Sequence, residues 1–104
     1  MRKQELISRL KEYEIVFKDI ITQTQKLVSA KPWVKGTRGE IVANDLILNI
    51  NSLRQKNQAY IRQISAADDA AAESVAQRIL DLMEEKLSSF QRLLKNLPNY
   101  FHTW

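Results

Sequence analysis

From Leu6 onward the buried-type residues recur at alternating steps of four and three: Leu6, Leu10, Tyr13, Phe17, Ile20, Thr24, Leu27. A half-buried strand repeats every second residue, whereas a helix brings positions three and four apart onto one face. This stretch is therefore constrained to one long amphipathic helix, its stripe widened by Ile7, Ile21 and Val28. Pro32 disfavours helical backbone at Lys31, so the helix is expected over about 4–30.

The same spacing returns twice. Ala43, Leu46, Ile50, Leu53, Asn57, Tyr60 and Ile64 form a second stripe, interrupted by one polar side chain, Asn57. Ala72, Ala76, Ile79 and Met83 begin a third, which continues in a shifted phase through Leu87, Phe90, Leu94 and Leu97 until Pro98 stops it. Two phases predict a broad buried face. Helices are expected over about 38–64 and 69–97, each roughly 40 Å long at 1.5 Å per residue. Three helices of similar length with short corners imply an all-α fold, an up-down-up bundle of three long helices, in a single domain over 1–104 with an aromatic tail at 99–104. Only two glycines and two prolines are present, too few for the turns of an all-β chain.

Antiparallel packing across the first corner brings residues of helices one and two level when their numbers add to about 68. Glu14 and Arg54 meet that condition on facing flanks and are expected to pair, as an arginine can with two parallel hydrogen bonds to a carboxylate. Lys86 falls between Met83 and Phe90, so its stem is expected to be buried with its amine at the bundle edge. At least one of Tyr100, Phe101 and Trp104 is expected to pack back on the bundle or on another chain.

The segment KPWVKGTRGE, residues 31–40, holds both glycines, one proline and one of two tryptophans. Thr37-Arg38-Gly39-Glu40 has the spacing of a capping box, as does Ser65-Ala66-Ala67-Asp68 before helix three. Gly36 and Gly39 also form a G-x-x-G, the loop with which KH domains clamp a nucleic-acid backbone. Those domains require a three-stranded sheet for which this chain has no strand pattern.

The chemistry the sequence excludes is broad. With no cysteine there is no disulfide, zinc thiolate or cysteine nucleophile. The one histidine, His102, lies in the tail, and the Asp81/Glu85 pair lacks the Glu-x-x-His partners of a bundle metal site. No catalytic, metal or cofactor residue is assigned, and the chain is expected to be no enzyme and to need no cofactor. No apolar run reaches the roughly 18 residues that span a bilayer. Charges occupy the N-terminus where a signal peptide is apolar, so a cytoplasmic protein without membrane contact is expected.

Binding surfaces remain. The net charge of +4 is uneven: residues 20–67 carry seven basic and two acidic side chains, while 68–85 carry six acids and only Arg78. Lys11, Lys18 and Lys26 form a ridge on the outer side of helix one, leading toward Lys31, Lys35 and Arg38; Arg62 lies on the amide-rich outer row of helix two. Such side chains suit phosphates and base edges. Ile15, Leu48, Trp33 and Trp104 are apolar residues beyond what the core needs, and aromatic side chains dominate protein interfaces. The leading expectation is a non-enzymatic interaction protein that docks onto a partner protein, a larger assembly or a second copy of itself. The alternative is a basic subunit that grips DNA or RNA through helix one and the 31–40 loop.

Overall fold

The structure, a computed structural model, describes residues 1–101; His102, Thr103 and Trp104 lie outside the described residues. Three antiparallel helices pack together: α1 (Lys3–Ser29), α2 (Arg38–Ala66) and α3 (Asp69–Asn96). One-turn 3-10 helices follow α1 at Pro32–Val34 and α3 at Leu97–Tyr100. The all-α, up-down-up bundle read from the spacing is the observed architecture, with helix ends within two residues of those expected. The molecule measures 57 × 17 × 15 Å, so its core is a single column of side chains along the bundle axis.

Helix α1 is the centrepiece. Leu6, Leu10 and Phe17 are completely buried, and Phe17 meets Tyr13 at 5.9 Å and the edge of Phe90 at 6.0 Å between ring centroids. Each such aromatic pair adds about 1 kcal/mol beyond the area it buries. At one end of the bundle Val34, Ala43, Leu97 and Phe101 form a second, smaller cluster. Phe101 is the tail residue that folds back; Tyr100 stays partly exposed with Arg38 over its ring at 5.7 Å.

The corners differ from the capping boxes that the sequence suggests. The Thr37 hydroxyl donates to the Val34 carbonyl, because the 3-10 turn brings that carbonyl beneath it, and Glu40 accepts from Gly36 N–H at 3.4 Å instead of from Thr37. Before α3, Ser65 is still helical and donates to the Ile61 carbonyl at 2.7 Å. Asp68 itself caps α3, accepting from Ala71 N–H at 2.7 Å. The Lys3 amine closes that end of the bundle by donating to the Ala67 carbonyl at 2.7 Å.

Both glycines of the 31–40 segment have structural work. Gly36 has φ +81°, a left-handed conformation costly for any residue with a Cβ. At Gly39 a Cβ would stand 2.7 Å from both the Phe101 ring and the Tyr100 carbonyl. The missing side chain is what lets the chain's last described turn lie against the start of α2.

Candidate functional site

The three helix interfaces are unequal. Between α1 and α2, Arg54 Nε donates to Glu14 Oε1 at 2.8 Å, as the matching levels predict. The pairing is single rather than two parallel bonds, because Arg54 Nη1 turns to Asn51 Oδ1 at 3.0 Å and Gln58 takes another place on Glu14 Oε1. Asn57, fully buried, donates through Nδ2 to the Leu10 carbonyl at 2.8 Å, while its Oδ1 finds no partner among the described residues. Between α1 and α3 the Tyr13 hydroxyl donates to Glu84 Oε2 at 2.7 Å. Burial, then the hydrogen bond and charge of Glu84, push the Tyr13 phenol up to about 12, partly offset by Arg9.

Between α2 and α3 there is nothing comparable. Their contact is slight, and among the described residues no side-chain hydrogen bond or ion pair joins them. The helices instead flank a groove. Near the Ala67–Asp68 corner its cavity measures about 450 Å³, where Ala71, Ala72 and Val75 face Tyr60, Gln63 and Ile64. Small side chains on α3 leave the space between the helix axes unfilled. One turn further along, a second cavity of about 350 Å³ continues between Asn49, Ser52, Leu53 and Lys56 on α2 and Lys86, Ser89, Phe90 and Leu93 on α3. Core residues Ile64, Ile79, Leu53 and Phe90 thereby form the floor of an open channel. From Ala71 to Leu93 it runs along roughly 33 Å of α3.

The two apolar phases of α3 make the broad buried face expected of them: Phe90 and Leu97 are buried, and Leu87 and Leu94 are half-buried against the core. The groove lies beside that face, with Val75 and Leu82 half-buried in it and Leu93 43% exposed. It corrects one expectation. Lys86 is exposed, on the side of α3 anticipated for it but without cover, because α2 stands away from it. The sequence did carry a signal: α2's row Asn49, Ser52, Lys56, Gln63 is polar while α3's row Val75, Leu82, Leu93 is largely apolar. Two such rows cannot bury one another.

The residues singled out from the sequence are scattered by comparison. Ile15 and Leu48 are 68% and 65% exposed, each opposite its own helix's buried stripe, so they leave the bundle in different directions. Ile41, also exposed, shares Leu48's side of α2. Trp33 is half exposed at the corner, its Nε1 donating to the Phe101 carbonyl at 3.0 Å and its ring under the Lys31 amine at 5.2 Å. Trp104 lies outside the described residues. Lys11, Lys18 and Lys26 are exposed along about 22 Å of α1, but exposed Glu12 and Asp19 follow two of them directly. Lys35 and Arg38 are exposed and Lys31 half-buried at the corner, whereas Arg62 is roughly 36 Å away along α2 from Arg38.

Among the described residues no three His, Cys, Asp or Glu side chains are grouped to hold a metal ion, and no helix is long and apolar enough to cross a membrane. Compared with protein-family models, with curated proteins and with solved structures, the chain matches none.

Proposed function

We propose that the chain is a non-enzymatic interaction protein whose docking surface is the groove between α2 and α3, receiving a segment of a partner protein. The observation that carries this reading is the asymmetry of the bundle: α1–α2 is latched by polar groups, α1–α3 is latched at Tyr13 beside a hollow of about 350 Å³, and α2–α3 has no latch and leaves core residues at the bottom of a longer channel. A channel of this length, with an apolar floor and polar edges, has the character of helix-in-groove recognition sites. Ile15, Leu48 and Trp33, the partner-binding candidates read from the sequence, are secondary in this reading because they form no joint patch. Photo-crosslinking tests it. A photoactivatable residue at the position of Leu82 or Leu93 is expected to give a discrete protein adduct, and one at the position of Thr22 on α1 is not. Adducts from Thr22 alone would move the docking surface to α1.

The second reading, a subunit binding DNA or RNA, is favoured by the corner, where Lys31, Lys35 and Arg38 surround the partly exposed rings of Trp33 and Tyr100. Aromatic faces among cations are a platform for stacked bases. Two of those cations already lie over the rings, and Glu40 sits beside them. Under this reading affinity for a generic oligonucleotide falls steeply with salt, and Lys35→Glu with Arg38→Glu flattens that slope.

A further inference from the structure

We infer that the occupant of the α2–α3 groove is an amphipathic helix of about 20 residues with acidic side chains on its flanks. The inference rests on the docking reading above and adds the chemistry of the partner. Three cations line the channel, Lys56 on α2 and Arg78 and Lys86 on α3, and no acid lines it. All three are exposed. Among the described residues the only ion pair is Glu14–Arg54, so none of the three has an acidic partner there. Of the α3 acids, Glu84 accepts from Tyr13 on the α1 side and Asp81 accepts from Gln77 on its own helix. Glu85 is exposed seven residues after Arg78 on the same side of α3, but lines neither cavity. Despite six acids between 68 and 85, the charged residues that line the channel are all cations.

The floor and the rim constrain the ligand separately. Ile64, Ile79, Leu53 and Phe90, with Val75, Leu82 and Leu93, call for apolar side chains at three- and four-residue spacing on the inserted face. Arg78 and Lys86 are eight residues apart on one rim, about 12 Å, so matching acids belong two turns apart on one flank of the ligand. Lys56 calls for an acid on the opposite flank. A channel of roughly 30 Å takes a helix of about 20 residues, which completes a four-helix arrangement. A second copy of this chain is a poor occupant: groove-to-groove pairing about an axis at Leu82 sets Arg78 of one copy against Lys86 of the other.

The test uses the full chain and three designed 20-residue helical peptides. They share one apolar face, and their flanks carry Glu, Gln or Lys. Isotope-labelled protein reports the binding site through the amide resonances of Tyr60, Val75, Leu82 and Leu93. The Glu-flanked peptide is expected to shift these resonances and to bind about ten-fold more tightly than the Gln-flanked one. The Lys-flanked peptide is expected to be weakest. The triple variant Lys56→Glu, Arg78→Glu, Lys86→Glu, which alters only exposed side chains, is expected to invert the order. Equal affinity of the Glu and Gln peptides at the groove would overturn the acidic partner and leave groove docking standing. Groove resonances unmoved by every peptide would overturn both. Concentration-dependent self-association that shifts the same resonances would make a second copy the occupant and overturn the inference.

Discussion

The seam between α1 and α2 and the groove between α2 and α3 are built on the same helix, yet one is closed and the other open. The seam holds an apolar stripe, a partly shielded ion pair and a buried amide that reaches across to a main-chain carbonyl. The groove has comparable apolar residues on its floor but no polar latch and, on one wall, alanines where the seam has leucines. The difference teaches that amphipathic periodicity brings helices together, while side-chain volume and polar matching determine which interfaces close. An apolar stripe alone leaves helices free to slide and rotate; a buried polar group that has one partner at one level fixes them.

The largest expected effect breaks the closed seam. Asn57→Asp keeps the shape but removes the donor to the Leu10 carbonyl and places a carboxylate at a fully buried position. We expect a loss of about 3 kcal/mol or more at neutral pH, measured by urea denaturation and partly recovered in acid as the carboxyl protonates. A loss below about 1 kcal/mol would mean that water enters the seam, and the contrast with the groove would fail.

Next comes the end of the bundle, where the tail is bound to the corner. Gly39→Ala gains helix propensity of up to about 1 kcal/mol, but its Cβ meets a carbonyl oxygen and a buried ring at 2.7 Å. Overpacking of this kind costs about 1–3 kcal/mol, so a net destabilisation is expected, with the Phe101 environment shifting in spectra. A more stable variant would show that the tail is not held there.

A double-mutant cycle on Glu14 and Arg54 sharpens the comparison. With side chains only 16% and 22% exposed, the pair should couple by about 1 kcal/mol, the upper end for exposed pairs. Zero coupling would leave Asn57 as the seam's only polar latch. On the open side the opposite holds: Leu93→Lys should change stability by no more than about 0.5 kcal/mol, since this leucine packs little in the isolated chain. A large loss would mean that the groove is already filled.

A separate effect, confined to high pH, concerns the α1–α3 seam. Because folding raises the Tyr13 phenol from 10.0 to about 12, its contribution is fully present below pH 10 and is lost as pH rises through 12. Denaturation of the protein and of Tyr13→Phe across that window should show the shallower decline in the variant. Parallel declines would separate Tyr13 from the pH response.

Much of this was legible in residue order. Steps of three and four set the three helices, and the lone Pro32 and Pro98 set where two of them end, because these are properties of local backbone geometry. The Glu14–Arg54 pair was legible too, since helix rise and a short corner determine which residues lie level. The site was not. Whether the Thr37 hydroxyl accepts or donates depended on the 3-10 turn beneath it, and why Gly39 is glycine depended on Phe101, distant in sequence. Above all, the phase that placed Lys86 on the inner side of α3 says nothing about the distance to α2. Sequence periodicity determines the direction in which a side chain leaves its helix. What it meets there is decided by how three helices share one narrow core, and here α1 takes the contact that α2 and α3 then cannot make with each other.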